Sequence, residues 1–234
     1  MKIPQTMAST ACTAANCSVC STRTAVLFAG IEPKLLENIQ HSIDEQRLPQ
    51  GAILYRMGEA GRAIYTVREG LVKLTQYLPD GNERIVRLAR TTDVTGLEAL
   101  LGEPYQHEAI VEQDSEICRI PVEVVRRLEL ESPQLYRELM RRWQQALSEA
   151  DVWLTELGTG SARQRMARLL LRLSHENGEG LCHLFSRKDM GAMLGITTES
   201  ASRMVAEFKR SGLLHEQGNR FHCNRSALEH IASD

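Results

Sequence analysis

The stretch Leu184–Gly212 reads LFSRKDMGAMLGITTESASRMVAEFKRSG, two helix-length segments on either side of one glycine. Ser186 with Asp189 three residues on gives a capping-box-like start. Met190, Met193 and Leu194 then supply a buried face for the first segment. Gly195 can take the left-handed conformation that a tight turn needs, and Ile196 plugs the angle between the segments. Thr197 caps the second helix, Ala201, Val205 and Phe208 face inward along it, and Gly212 closes it. Two short helices around a glycine turn match a helix-turn-helix, whose second helix enters the DNA major groove N-terminus first.

The side chains left facing outward near that N-terminus are Thr198, Glu199, Ser202 and Arg203, and with the capping Thr197 they are the DNA-binding candidates of this helix. Arg203 can donate a bidentate pair to guanine, Glu199 can accept from a cytosine amino group, and Ser202 suits either role or a thymine. Arg187, Lys188, Lys209 and Arg210 flank the unit and suit phosphates, which position without specifying. A glutamate has no use against a phosphate, so Glu199 favours base readout. The alternative is a solvated helix face carrying an intrahelical Glu199–Arg203 pair at i, i+4. Next in the chain is Leu213–Cys223, LLHEQGNRFHC, with Gly218-Asn219 between short alternating runs, which predicts a hairpin and makes the unit a winged helix.

Upstream, Met166, Leu169, Leu170 and Leu173 mark a further helix. Before it, Ser132 is placed to cap a long helix that opens at Pro133 and ends at the Gly158-Thr-Gly160 hinge. Along it Met140, Trp143, Leu147, Ala150, Leu154 and Leu157 form a heptad seam, widened by Leu139, Ala146 and Trp153. A stripe this wide suits packing on the preceding domain and on a second copy of the chain; burial on its own domain alone is the other reading. From Leu48 to Pro121 the texture is different. AIYTVREG and LVKLTQYL alternate around Glu69-Gly70, RIVRLA and SEICRIP are further short strands, and glycines punctuate them. This pattern predicts an antiparallel jelly roll or barrel. Before it, Leu35, Leu36, Ile39 and Ile43 predict a helix over residues 31–46, and residues 1–23 show no element pattern.

Of the 234 residues, 42% are hydrophobic and 25% charged, ordinary for a globular protein. The net charge of −2 excludes a uniformly basic protein. From Gly160 onward 11 Lys+Arg face 8 Asp+Glu, whereas the remainder carries 17 against 22. That split fits a nucleic-acid reader joined to a separate sensing part, and ordinary surface variation also accommodates it. No apolar run reaches the roughly 18 residues needed to span a bilayer. Lys2 is followed by Ile-Pro-Gln-Thr rather than an apolar run, so a cytoplasmic protein with no membrane partner is expected, and its six cysteines are not expected to form disulfides. The histidines show no HxxxH or HExxH spacing, and no Walker loop, GxGxxG or Ser/His/Asp arrangement is present. These observations give no catalytic constellation, so an enzyme is not expected.

Over nearly its whole length the chain resembles the CRP/FNR family of bacterial transcription regulators. The resemblance is carried by the glycine-punctuated strands, by EICRIP before the long helix, and by LGITTESASRMVAEFKRSGLL. It implies an α+β chain in four parts. These are a Cys-containing segment (1–23), a cyclic-nucleotide-binding-like β-roll (24–130), a dimerisation helix (131–158) and a winged helix-turn-helix (159–234). It also implies a homodimer on double-stranded DNA. Glu199-x-x-Ser202-Arg203 is similar to the FNR branch, where residues at these positions contact bases of TTGA-type half-sites. By the same resemblance, exposed β-roll loops such as Tyr77–Arg84 would touch RNA polymerase; a plain hairpin tip is the simpler reading.

Cyclic-nucleotide readers of the family carry Gly-Glu-x-x-Leu followed by Arg-Ser. Here Gly96 and Leu100 fit, but Leu97 stands in the glutamate's place and His107-Glu108 replaces Arg-Ser. A carboxylate repels a cyclic phosphate, so cyclic AMP is not expected as effector. FNR-type oxygen sensors hold a [4Fe–4S] cluster through three N-terminal cysteines and a distant one on the strand before Ile-Pro. The matching thiols are Cys12, Cys17, Cys20 and Cys118, four as such a cluster requires. The spacing C-x4-C-x2-C departs from the family's C-x2-C-x5-C, which leaves zinc, thiol redox chemistry or no function open for the tail cysteines, and simple packing for Cys118. Haem on a histidine, or another small-molecule effector, also stays open. Cys182 and Cys223 are expected only to pack.

Overall fold

The computed structural model describes residues 13–14, 27–28, 31–175, 181–182, 185–217 and 220–233. Cys12, Cys17, Cys20 and the Gly218-Asn219 turn lie outside the described residues. The chain divides into two compact units, one of residues 1–76 and 87–147, the other of residues 77–86 and 148–234.

The elements before the long helix run β1 (Thr13–Ala14), α1 (Pro33–Gln40), β2 (Asp44–Leu48), β3 (Ile53–Tyr55), β4 (Ala63–Tyr77), β5 (Glu83–Arg90), β6 (Val94–Thr95), a 3-10 turn (Leu97–Leu101), β7 (Glu108–Pro121) and α2 (Val122–Glu131), all in the first unit except Tyr77 of β4 and residues 83–86 of β5, which group with the second. The strands build one antiparallel sheet ordered β1-β2-β7-β4-β5, with β3 added to β7 and β6 to β4. The β-roll is thus present, with two corrections. Residues 41–46 are not helical: α1 stops at Gln40, the Ser42 N–H closes a turn on Ile39 at 2.8 Å, and Asp44–Leu48 pairs with Ser115–Arg119. Cross-strand ion pairs, Arg119–Asp44 at 3.0 Å and Arg47–Glu116 at 2.8 Å, join the same two strands. Non-local pairing overrides the helical spacing of Ile43 there. The second correction concerns Glu69-Gly70, which does not divide two strands. β4 runs straight through it as a bulged strand, because Gly70 (φ +98°) lies so close to β7 that a Cβ would collide with the Ser115 Oγ.

The core of this unit joins Leu27, Phe28, Ile39 and Ile43 to Ile64, Val94, Ile120, Val125 and Leu128. Leu135 and Leu139 enter it from α3 (Pro133–Val152), so that face of the long helix is buried on its own unit. The opposite stripe remains open: Met140, Trp143, Leu147 and Leu154 are all exposed, Leu154 by 71%. The boundary between the units falls within α3. The regular helix is shorter than its spacing suggested, since Trp153–Leu157 forms a π turn. One wider turn changes the angular phase of the chain beyond it, and Leu157 leaves the exposed seam to be buried, as is Trp153.

The second unit continues with α4 (Ala162–His175), β8 (Leu181–Cys182), α5 (Arg187–Leu194), α6 (Thr198–Arg210), β9 (Leu214–Gln217), β10 (Arg220–Cys223) and α7 (Arg225–Ser233). β8, β10 and β9 form a small antiparallel sheet. Met166, Leu169, Leu170, Met190, Met193, Leu194, Ala201, Val205, Phe208 and Cys223 are buried, the pattern the apolar spacing predicts. Phe208 is fully buried, and Phe208→Ala should destabilise the chain by about 3–5 kcal/mol. Urea denaturation followed by circular dichroism checks this as a lower midpoint.

Candidate nucleic-acid interface and sensing surface

The exposed face of α6 is built by caps and close backbone packing. The Ser186 Oγ accepts from the Asp189 N–H at 3.0 Å and starts α5. Gly195 ends it with φ +64°. The Ile196 N–H then donates to the Gly191 carbonyl at 3.1 Å. A Cβ on Gly191 would lie 2.7 Å from the Ile196 carbonyl oxygen, so glycine is needed there as well as at the turn. Thr197 caps α6 by accepting from the Ser200 N–H at 3.2 Å. With Ala201, Val205 and Phe208 facing inward, Thr197, Thr198, Glu199, Ser202 and Arg203 are left exposed together.

The electrostatics of that face separate its members. Glu199 and Arg203 form no ion pair among the described residues. The Glu199 carboxyl is instead influenced most by its own backbone N–H and next by the nearby Thr197 hydroxyl, with Arg203 a weaker influence. These hold it below the usual carboxylate range, so it stays ionised and acts only as an acceptor. The flanking cations differ from one another. Arg187 leans on Met190, its Nη1 3.6 Å from the sulfur, and burial lowers its pKa. Lys188 pairs with Glu83 at 2.6 Å. Lys209 pairs with Glu216 at 3.0 Å and sits 4.5 Å from the centre of the Phe221 ring. Arg210 is exposed. The sequence gives no direct sign of these carboxylate partners; the β9–β10 hairpin is the only local signal that Glu216 could reach α6.

In the first unit, β1 brings the N-terminal segment to the sheet. Thr13 is in register with Glu45, and Glu45 with Cys118, so the residue after Cys12 lies two strands from Cys118. Two strand spacings are about 10 Å. Cys118 is half-buried and packs on the apolar cluster that contains Leu135 and Leu139. No group of three or more metal-ligating side chains occurs among the described residues. The stretch corresponding to the nucleotide cassette begins at Gly96 and forms the 3-10 turn Leu97–Leu101. Burial lowers the pKa of His107, with Glu98 opposing the shift and Arg87 adding to it. His107 is therefore neutral near pH 7 and supplies no cation.

A β-roll, a long helix with an open apolar stripe and a winged helix-turn-helix together define a DNA-binding transcription regulator with a sensing domain. Comparison with known proteins agrees. A cyclic nucleotide-binding domain model matches residues 45–131, and a Crp-like helix-turn-helix domain model matches residues 164–231. The chain belongs to the CRP/FNR family, whose members are transcription regulators and not enzymes. It is 26% identical to the transcriptional activator protein Anr of Pseudomonas aeruginosa over 215 residues, covering 89% of this chain and 88% of that one. It is 25% identical to the fumarate and nitrate reduction regulatory protein of Vibrio cholerae over 212 residues, 88% and 85% of the two chains. Among solved structures, FixK2 from Bradyrhizobium japonicum superposes with a TM-score of 0.73 at 25% identity, over 81% of this chain and 96% of that one. No helix among the described residues is long and apolar enough to cross a membrane.

A histidine whose folded pKa is depressed stabilises the protein above its unfolded value, and that stability is lost as the pH falls. The loss should begin as the pH drops through the ordinary histidine value of 6.5. Melting temperatures of wild type and His107→Gln measured from pH 7.5 to 5 should therefore converge or cross toward acid, the wild type falling more steeply.

Proposed function

We propose that this protein is a cytoplasmic homodimeric regulator that reads TTGA-type palindromic half-sites and responds to oxygen through a cysteine-held iron–sulfur cluster. The carrying observation is the α6 face, where an ionised glutamate and an arginine outside any ion pair among the described residues stand exposed beside Thr197, Thr198 and Ser202. Arg203 suits guanine, Glu199 suits the cytosine amino group, and Ser202 suits either role or a thymine. Arg187, Lys188 and Lys209 are the phosphate-class residues. The division of labour follows the chain: an N-terminal Cys segment (1–23), a β-roll sensor (24–130), a dimerisation helix (131–158) and a DNA reader (159–234). Support for the dimer is the stripe of Met140, Trp143, Leu147 and Leu154, which a second copy would cover. A two-fold dimer presents its two reading helices to successive major-groove turns, matching a palindrome. RNA polymerase is the expected protein partner on DNA, through exposed β-roll loops.

The residues fit the cluster in kind, as four cysteine thiols. Cys118 with Cys12, Cys17 and Cys20 would hold it, and Thr13 already pairs two strands from Cys118. When bound, such a cluster supplies an oxygen-labile iron centre. The chain's own part is to place Cys118 on the apolar cluster that Leu135 and Leu139 of the long helix also enter, so that a displacement at this thiol would reach the helix through that cluster. Cyclic AMP does not fit the same β-roll, because Leu97, a neutral His107 and Glu108 replace the groups that would bind ribose and phosphate. The second reading keeps the regulator and replaces the cluster with zinc at the same four thiols, favoured by the C-x2-C of Cys17 and Cys20.

Arg203→Ala should lose about 1–3 kcal/mol of discrimination at one guanine in addition to overall affinity. Binding to a set of single-base variants of a TTGA palindrome checks this; a uniform loss across all sequences contradicts base readout. Protein purified without oxygen should be coloured, carry iron and sulfide, and bleach in air, whereas Cys118→Ser should be colourless. A colourless wild type containing zinc selects the second reading.

A further inference from the structure

The two lysines best placed for phosphates are each already held by a carboxylate, while the base-reading Arg203 is in no ion pair among the described residues. Lys188 stands at the start of α5 and is 71% exposed, yet its ammonium lies 2.6 Å from Glu83, which is only 11% exposed. Lys209, near the end of α6, lies 3.0 Å from Glu216 on β9 and over the Phe221 ring of β10. Glu83 belongs to the segment 77–86 that groups with the C-terminal unit, so both pairs lie within one unit.

We propose that Glu83 and Glu216 are internal stand-ins for DNA phosphate, which set the strength of sequence-independent binding without touching base readout. This rests on the reading of α6 as the DNA-reading helix. A carboxylate offers an ammonium the same charge-assisted acceptor that a phosphate oxygen offers. Lysine is a compact charge on a flexible stem and can exchange one for the other without the fixed fork geometry of arginine. For Lys188 or Lys209 to reach a phosphate it must first leave its glutamate. As the DNA phosphate releases a counterion, the vacated carboxylate takes one up. Each pair therefore weakens binding and flattens its salt dependence. Neither glutamate lies on the face formed by Thr198, Glu199, Ser202 and Arg203, so discrimination between bases is left alone.

The test uses the full-length protein and fluorescence anisotropy on two labelled duplexes, a TTGA palindrome and a scrambled control, across a salt series. Glu83→Gln and Glu216→Gln should each tighten both duplexes by roughly two- to fivefold per lysine freed, the range a surface ion pair supports. The slope of log K against log salt should steepen by about 0.9 for each lysine freed. The ratio between the two duplexes should stay constant. In a Lys209→Gln background the Glu216→Gln change should have no effect, and likewise Glu83→Gln in Lys188→Gln. Tightening that persists without the lysine is a general charge effect and overturns the proposal, as does an unchanged slope in a wild type that binds DNA. A wild type that binds neither duplex overturns the DNA reading itself, and this inference with it.

Discussion

The DNA-reading surface depends on one close backbone crossing. The Ile196 carbonyl comes so near Gly191 that no side chain fits between them, and the Ile196 N–H returns a hydrogen bond to the Gly191 carbonyl. That contact fixes the angle at which α6 leaves α5. Met190, Met193, Val205 and Phe208 fill the angle from inside. Because the angle is fixed, helical periodicity decides which residues of α6 face solvent. Loosen the crossing and Glu199 and Arg203 would still be exposed, but they would no longer be held in a defined direction relative to the phosphates.

The helix-turn-helix was legible in the sequence because its determinants are local. Caps at Ser186 and Thr197 and apolar residues at helical spacing all act within a few residues of one another, and the fold agrees with each. The sheet was legible as a class but not in its edges. Asp44–Leu48 has no strand signature of its own and becomes a strand because β7 offers it a partner with matching charges. Gly70 reads as a turn residue, yet its use is to let Ser115 of β7 approach. β8 is only two residues long and follows from pairing with β10, whereas α2 and α7 carry amphipathic spacing, Val122, Val125 and Leu128 in one and Leu228 and Ile231 in the other, that was not read as helix. The candidate site divides in the same way. The outward α6 residues follow from periodicity, whereas the Lys188 and Lys209 partners depend on which distant segment folds beside them.

The first unit shows how a fold can keep its outline while its chemistry changes. The cyclic nucleotide-binding model matches residues 45–131, and the glycine-started turn at Leu97–Leu101 is in place. The residues around it are Leu97, His107 and Glu108. His107 is half-buried, and burial favours its neutral form, so the histidine itself offers no charge to a phosphate. Cys118 lies further along β7, the strand that begins at Glu108, and packs on the apolar cluster that Leu135 and Leu139 of α3 also enter. A signal at the thiol and a signal at the nucleotide turn would therefore reach α3 through one apolar cluster, since Val94, Leu97 and Leu135 all belong to it. Substituting one sensing chemistry for another on this scaffold requires new ligating residues but no new route to the helix.

Charge then explains why the reader should work in pairs. The C-terminal part holds only three more cations than anions, and two of its phosphate-class lysines are already matched to carboxylates. Sequence-independent attraction to DNA comes almost entirely from such cations. On the proposed reading, a single protomer would have little general affinity, and most of its binding free energy would come from the few base contacts of α6. One helix reads too short a sequence to be selective on that basis. Two copies joined along the open stripe of α3 double the base contacts and, because the second reader is already tethered, bring it to its half-site at high effective concentration. On the proposed reading, weak phosphate contacts and an exposed apolar seam would be linked in this sense: the first would keep a lone protomer off unspecific DNA, and the second would restore affinity only where both half-sites are present.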